Sequence, residues 1–221
     1  MKKLFQLVNK NFFGLRPEKL LAKKHRPVIT ISREKGSGGR LIAYLVVKKL
    51  GKPWKVFHKE IIDEIAKQAH LEKDLIREVD EKKIPVVEEI IDDVFGKRYI
   101  SLNKYYKHLV KILSTIGQRG HAIVIGRGAN FLYPNALKIR IICDMEERIA
   151  WIMKDYKIKR AEAIEIIEES DETRSDFVKA LFHHDQKKAH HYDLVIRTSK
   201  KLTLEDAADI IVKTAKRRFN L

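Results

Sequence analysis

Apolar and polar positions follow two different spacings along this chain of 221 residues. Short apolar runs rich in β-branched residues, which are typical of buried strands, occur at 27–32, 54–57, 121–126, 138–143 and 193–197. Between these runs, apolar residues recur every three or four positions, which indicates amphipathic helices. Strands that alternate with helices predict an α/β fold built on a mainly parallel sheet of five strands.

Two long helical stretches interrupt this alternation. Residues 58–120 are almost entirely helical in pattern and predict a helical insertion within a domain that spans 27–221. Residues 155–192 contain the turn-like "ESDETRSD", which predicts two charged helices joined by a turn. The pair fits a lid over the sheet edge or an ordinary solvated hairpin, and periodicity does not choose between them.

A run of small residues, "GSGG", lies between the first strand and the following helix. A strand that turns into a helix through glycines exposes backbone N–H groups and the positive end of the helix dipole, which favours phosphate. The P-loop pattern G-x-x-x-x-G-K-[ST] adds a lysine and a hydroxyl, but Gly39 stands at the lysine position and Leu41 at the hydroxyl position. By itself the run fits a phosphate site or a flexible turn.

Two arginines add to the phosphate interpretation. Arg127 lies between glycines in "IGRGA", just past the third strand, at the edge where open α/β sheets bind ligands. Arg174 lies in "DETRSDF", within the second helical stretch. Arginines that converge from separate elements on a glycine loop suit phosphoryl transfer, which depends on charge neutralisation and positioning.

Four segments together resemble a known family. They are "ITISREKGSGGRLIAYLVVKKLGKPWKVFHKEII", "GQRGHAIVIGRGANFLYPNALKIRIICDMEERI", "DETRSDF" and "YDLVIRTSKKLTLEDA". They are similar to the strand, glycine-loop, "GRG", lid and last-strand patterns of the cytidylate kinase-like family of nucleoside monophosphate kinases. The resemblance implies a P-loop kinase fold with a helical monophosphate-binding insertion and a lid. It also implies transfer of the γ-phosphoryl group of ATP to CMP or a related monophosphate, with Mg²⁺.

The resemblance also implies roles for individual residues. Residues expected around the donor phosphates are Gly36, Ser37, Gly38, Gly39 and Arg40. Those expected at the acceptor monophosphate are His58, Arg127 and Gly128. Arg174, oriented by Asp171, would close onto the transferring group, and Thr198 and Ser199 would lie near the donor base. Arg148 matches a basic position of the family, although its helical setting fits a surface role equally well.

Two departures from the family keep other hypotheses open. The family usually carries acids at the positions of Leu41 and His58, so the Mg²⁺ ligands stay unknown, and the remaining nearby acids are Glu34, Glu60 and Asp63. Arg40 or Arg33 is a candidate to bring charge in place of the P-loop lysine. A nucleotide-binding sensor or scaffold without transfer activity is therefore the second hypothesis.

Charge adds a third hypothesis. The 46 basic and 30 acidic residues give a formal net charge of +16, which favours anionic partners. Residues 1–26 hold eight lysines and arginines against one acid, Glu18. This basic arm fits nucleic-acid or membrane-surface binding, or a leader helix that packs on the body. Deletion of the arm would test the nucleic-acid hypothesis.

Other features of the sequence exclude further classes of function. A single cysteine, Cys143, lies in a predicted strand and is expected to be a core residue rather than a nucleophile. The histidines of "HHDQKKAHH" are expected to form a solvated face rather than a zinc site. No apolar run reaches the length of a membrane span, and Asn9 to Asn11 interrupt any secretory segment, so we expect a cytoplasmic protein.

Overall fold

The computed structural model describes residues 26–58, 109–110, 112–114 and 116–221. Most of the basic arm and most of the predicted insertion, including Glu60 and Asp63, lie outside the described residues. Of the residues expected at the acceptor monophosphate, His58, Arg127 and Gly128 are among the described residues.

Five parallel strands form one sheet. They are β1 (Val28–Arg33), β2 (Lys55–Phe57), β3 (Ala122–Ile125), β4 (Leu137–Cys143) and β5 (Leu194–Thr198), in the order β2-β3-β1-β4-β5. In register, Ile31 of β1 pairs with Ile125 of β3 on one side and with Ile139 of β4 on the other. All five strands predicted from the apolar runs are confirmed.

Helices connect these strands. Outside the connection between β2 and β3, they are α1 (Gly39–Leu50), α2 (Ala129–Leu132), α3 (Met145–Tyr156), α4 (Arg160–Phe182) and α5 (Leu204–Phe219), with a 3₁₀ turn at Ala189–His191. The predicted capping signal at the start of α5 is confirmed, since Thr203 and Asp206 form a reciprocal capping box. Among the described helices, none is long and apolar enough to cross a membrane.

The sheet is covered on both faces. The first five residues of β1 are buried, as expected for a central parallel strand, and they feed two separate apolar clusters. Ile29 and Ile31 pack in the cluster that includes residues of α1 and α5, whereas Val28 packs in a cluster that includes Phe177 of α4. The amphipathic faces of α1 and α5 thus lie against one side of the sheet.

The strand order creates a crevice. β1 lies between β3 and β4, and the chain crosses to opposite sides of β1 as it forms these two strands. Open α/β sheets bind ligands at such a switch point, outside the carboxyl ends of the strands. In this chain the carboxyl ends of β1 and β3 lead into "REKGSGG" and "GRG", so both predicted ligand motifs reach the same edge.

The second charged helical stretch differs from the prediction. The turn predicted at "ESDETRSD" is wrong, because α4 is one continuous helix of 23 residues from Arg160 to Phe182. Within that segment, Asp171 and Arg174 pair one turn apart and also contact backbone groups of residues 33 and 35. Tertiary contacts of these polar residues support the helix where local sequence preference favours a turn.

Candidate functional site

A cleft of about 670 Å³ lies at the carboxyl edge of β1 and β3. The lining includes Arg33 from the end of β1, Gly126 from the turn after β3, and Phe177 from α4. The residues predicted from the sequence that also line it are Arg40, His58, Arg127, Gly128 and Arg174. The topology thus brings together arginines that are far apart in the chain.

The cleft is strongly cationic. Its described lining carries five lysine or arginine side chains, those of Arg33, Lys35, Arg40, Arg127 and Arg174. Glu169 is the one acidic side chain among the described lining residues. Such an arrangement is costly unless an anion enters, because like charges in a crevice repel one another.

Arg127 is held in an unusual backbone conformation. Its φ is 57°, in the left-handed region, within the turn that links β3 to α2. Its guanidinium carbon lies 5.4 Å from the centre of the Phe177 ring, a cation–π distance. A positive φ at a residue other than glycine is uncommon and is often found at functional sites.

Arg174 reaches the cleft from the middle of α4. Its Nη1 donates to Asp171 Oδ1 and to the carbonyl oxygen of Arg33, both at 3.3 Å. Burial lowers the pKa of Arg174, and the charges of Arg148 and Arg127 lower that pKa further, while Asp171 raises it. The guanidinium remains charged, so an anion in the cleft would relieve this unfavourable environment.

Asp171 holds several groups together behind the cleft. It accepts the backbone N–H of Lys35 at 2.8 Å and forms a salt bridge with Arg148. Arg148 is only 7% exposed, and its Nε donates to the carbonyl oxygen of Lys35 at 2.6 Å. The surface alternative for Arg148 is therefore wrong: this arginine supports the loop that follows β1.

The glycine loop is packed tightly against its neighbours. Ser37 is buried, and its hydroxyl donates to the carbonyl oxygen of Glu34 at 2.9 Å. Gly38 has a φ of 78°, and a Cβ atom there would lie 2.3 Å from Leu204. Since Gly36, Ser37, Gly38 and Gly39 are not part of the cleft lining, only the ends of the loop, at Lys35 and Arg40, reach it.

Thr198 and Ser199 lie behind this loop. The buried Thr198 hydroxyl lies 3.0 Å from the carbonyl oxygen of Ser37 and 3.2 Å from that of Ile142. The Ser199 hydroxyl accepts the backbone N–H groups of Lys201 and Leu202. Both hydroxyls thus form contacts within the protein, and neither residue lines the cleft.

The amino terminus of α1 is suited to an anion. The helix begins at Gly39 with no side-chain cap and no acid in its first turn. Its N–H groups and its dipole therefore give this end a partial positive charge. Arg40, in the first turn, adds a full charge, and its Nη2 lies 3.3 Å from His58 Nε2.

Comparison with known proteins identifies the family. The model of the cytidylate kinase-like family matches residues 28–200. The chain belongs to the cytidylate kinase-like family. Its five-stranded parallel sheet, flanked by helices and carrying a glycine loop after β1, is a P-loop kinase fold.

Other similarities are weaker. A solved structure of an uncharacterized protein from Eubacterium ventriosum has a TM-score of 0.64 and 18% identity, covering 86% of this chain and 99% of the other, which supports the fold alone. A shikimate kinase from Acinetobacter baumannii has 12% identity and a TM-score of 0.44, covering 88% of this chain and 96% of the other, too low to support an argument.

One curated relative is similar over part of its length. A uronate isomerase of Corynebacterium glutamicum is 30% identical over 113 residues, which are 50% of this chain. This match spans 21% of the isomerase, about a fifth of its length. Because the match covers so little of the isomerase, it gives no information about the activity of this chain.

Membership of a kinase family raises the question of a metal. Glu34, a candidate acid, lies 3.7 Å from both Arg140 and Arg148, and its carboxylate accepts the backbone N–H of Cys143. Among the described residues, no group of three or more histidine, cysteine or acidic side chains could hold a metal ion. The described residues therefore offer no all-protein cage for Mg²⁺, and Glu34 is already engaged by arginines.

The histidines at the end of α4 and beyond fit the predicted solvated face, since His183, His184 and His190 are exposed and His191 is half-buried. His183 is the C-cap of α4, and residues 184–188 form a loop before the 3₁₀ turn at Ala189–His191. His184 stacks on Phe131 with ring centres 4.5 Å apart, and His191 lies edge-on to the same ring at 5.1 Å. These rings pack at the base of α2, next to the "GRG" turn.

Cys143 ends β4 and is partly buried. Burial raises the pKa of its thiol, so the neutral form is favoured at neutral pH. Since the thiolate is the reactive form, this environment fits an inert residue of the sheet.

The sequence did not predict how much the segment after β1 contributes to the cleft. Lys35 lines the cleft, and its Nζ lies 4.8 Å from the ring centre of Tyr156, at the end of α3. The signal in the sequence was the pair of basic residues, Arg33 and Lys35, immediately before the glycines. For Arg148 the sequence offered only a match to a basic position of the family, because its burial depends on packing between α3, α4 and the loop.

Proposed function

We propose that this protein is a nucleoside monophosphate kinase that transfers the γ-phosphoryl group of ATP to CMP or a related monophosphate. One observation carries the proposal: Arg33, Arg127 and Arg174 converge from three separate elements on one cleft at the carboxyl edge of the sheet. Family membership supports this reaction class, and the strand order supports a site at the carboxyl edge of the sheet.

Phosphoryl transfer requires neutralisation of charge more than covalent chemistry. In this proposal, the donor phosphates lie at the amino terminus of α1, near Arg40 and the glycine loop. Arg127, flanked by glycines that allow close approach, holds the acceptor phosphate. Arg174 contacts the transferring group, and Asp171 orients its guanidinium.

In this proposal Mg²⁺ binds together with the phosphates of ATP. Magnesium is commonly held by one or two carboxylates together with substrate phosphates and water. Glu34 and Asp171 are both engaged by arginines, so the described cleft offers the carboxylate of Glu169 alone. Arginine side chains therefore supply the charge neutralisation that can be assigned to this chain.

The helix α4 is proposed as the lid of the domain. It contributes Arg174 and Phe177 to the cleft and contacts the loop after β1 through Asp171. Selection of the acceptor base is assigned to the insertion between β2 and β3, most of which lies outside the described residues.

The test is ADP production from ATP and Mg²⁺ with each common nucleoside monophosphate in turn. We expect turnover with pyrimidine monophosphates, and we expect Arg127→Ala to lower kcat/KM by about 10²-fold, because the acceptor phosphate would lose the guanidinium that positions it for transfer. The control is Arg160→Ala, which removes an exposed arginine paired with Glu146. Equal losses in both variants, or no turnover with any acceptor, would contradict the proposal.

A second candidate is a nucleotide-binding protein without transfer activity. It is favoured by one observation: Leu41 and His58 occupy positions where the family usually has acids, and Leu41 is exposed beside the cleft residue Arg40. ATP binding without turnover would support it. In that case, Leu41→Glu with His58→Asp should restore turnover if the protein is an impaired kinase, and no rise would indicate a binding protein.

A further inference from the structure

The family's glycine loop lacks its lysine, yet the cleft contains a cation from a different position. We propose that Arg33 takes over the role of the P-loop lysine and binds the polyphosphate of a nucleoside triphosphate. We also propose that Gly39 is glycine because Arg33 passes over it. This inference rests on the proposed function in treating the cleft as a phosphate site.

The sequence shows a reciprocal exchange. In the pattern G-x-x-x-x-G-K, the lysine directly follows the second glycine. With Gly38 as that second glycine, Arg33 stands at the position of the first glycine and Gly39 at the position of the lysine. A glycine and a cation have thus exchanged places across the loop, and the two positions together still carry one positive charge.

The structure gives a steric reason for this exchange. A Cβ atom at Gly39 would lie 2.6 Å from Arg33 Cβ and 3.1 Å from Arg33 Cγ. The shorter contact is with the first atom of the arginine side chain, which cannot rotate away while the backbone of β1 stays in place. Because every residue other than glycine carries this Cβ atom, a lysine at position 39 requires a glycine at position 33 or a shift of the backbone.

The other end of the Arg33 side chain lies at the "GRG" turn. A Cβ atom at Gly126 would lie 2.3 Å from Arg33 Nη1, so the guanidinium lies directly against the backbone of that turn. Arg33 therefore spans from the start of α1 to the end of β3, where it lines the cleft with Arg127. Gly39 and Gly126 leave room for the two ends of one side chain.

This position suits a polyphosphate. The carbonyl oxygen of Arg33 accepts a hydrogen bond from Arg174, so the residue is connected to α4 through its backbone while its side chain faces the cleft. A guanidinium presents a planar pair of N–H groups to two phosphate oxygens, whereas a lysine acts as a single point charge. No proton or covalent bond moves in this role.

The inference is tested by equilibrium binding of inorganic tripolyphosphate to the full chain at ~150 mM salt, measured by calorimetry. Arg33→Gly should weaken binding by about 30-fold, in line with the loss of charged hydrogen bonds. Gly39→Lys alone should lower the melting temperature because of the contact with Arg33. The double variant Arg33→Gly/Gly39→Lys should bind tripolyphosphate at least tenfold more tightly than Arg33→Gly.

Arg33→Met is a second variant that retains the bulk of the side chain along Gly39, and Arg160→Ala is the matched control for loss of one charge. If Arg33→Met binds tripolyphosphate as tightly as the wild type, the inference is overturned, even if the protein proves to be a kinase. A double variant that binds no better than Arg33→Gly also overturns it. The two proposals can also fail separately. If tripolyphosphate binding is lost in Arg33→Gly and recovered in the double variant, but no acceptor gives turnover, the inference is supported and the proposed function fails.

Discussion

Two groups of arginines lie on either side of the loop that follows β1. Behind the loop, Arg140 and Arg148 are 5% and 7% exposed and contact the carboxylates of Glu34 and Asp171. In front of it, Arg33 and Arg127 line an open cleft whose described lining contains one acid. The same residue type thus serves two purposes within a few ångströms of the loop.

The two groups differ in what lies around them. The arginines behind the loop contact carboxylates of the protein, so they stabilise the loop. The arginines in the cleft line a space that an anionic ligand can enter. Arg174 belongs to both groups, because it lines the cleft and also contacts Asp171. A buried charge pair is therefore not by itself a sign of a binding site.

Removal of an arginine behind the loop should mainly reduce stability. Arg148→Met leaves the carboxylate of Asp171 without its strongest partner in a partly buried place, and we expect a loss of about 3 kcal/mol in the free energy of unfolding. Chemical denaturation measures this. Arg127→Met, its counterpart in the cleft, should lose less than about 1 kcal/mol.

The double variant Arg148→Met/Asp171→Asn is the control, since it removes both charges. It should be more stable than the single variant. If Arg148→Met is as stable as the wild type but has lost ATP binding, Arg148 belongs to the ligand-binding group and the division is wrong.

A smaller loss of stability is expected from Thr198, whose hydroxyl contacts the glycine loop from behind. Thr198→Val keeps the shape of the side chain but leaves the carbonyl oxygen of Ser37 without its donor, so we expect a loss of about 1–2 kcal/mol in unfolding free energy. Thr198→Ser, which keeps the hydroxyl, should lose less. A tenfold loss of ATP affinity with unchanged stability would instead place the hydroxyl at the nucleotide.

The smallest effect is expected at the acid of the cleft. Glu169→Gln removes an exposed negative charge among cations, and affinity for tripolyphosphate without metal should rise about two- to threefold. The same calorimetric titration measures it. If Glu169→Gln instead abolishes turnover with MgATP, then Glu169 is a metal ligand or a base, and the arginines do not act alone.

The sheet and its two ligand motifs were predictable from the sequence, because buried parallel strands appear as continuous apolar runs and the glycines stand directly after two of them. Arg127 was also predictable as a cleft residue, because it follows β3 at the edge of the sheet. These features depend on local order along the chain.

The turn predicted in α4 was wrong and the role of Arg148 was left open for one reason. "ESDETRSD" has the local preference of a turn, and an arginine in a charged helix has the local appearance of a surface residue. Both outcomes depend on Asp171, which contacts Lys35 and Arg148, residues far away in the chain. The steric relation between Gly39 and Arg33 likewise appears only when the distances are known.

The most direct test of the division between the two groups is a crystal structure with a non-hydrolysable ATP analogue and CMP. We expect the phosphates in the cleft, with oxygens of the analogue or of CMP within hydrogen-bond distance of Arg33, Arg127 and Arg174, and Arg140 and Arg148 still paired with carboxylates. A triphosphate bound elsewhere, with none of the three cleft arginines touching a phosphate oxygen, would contradict it.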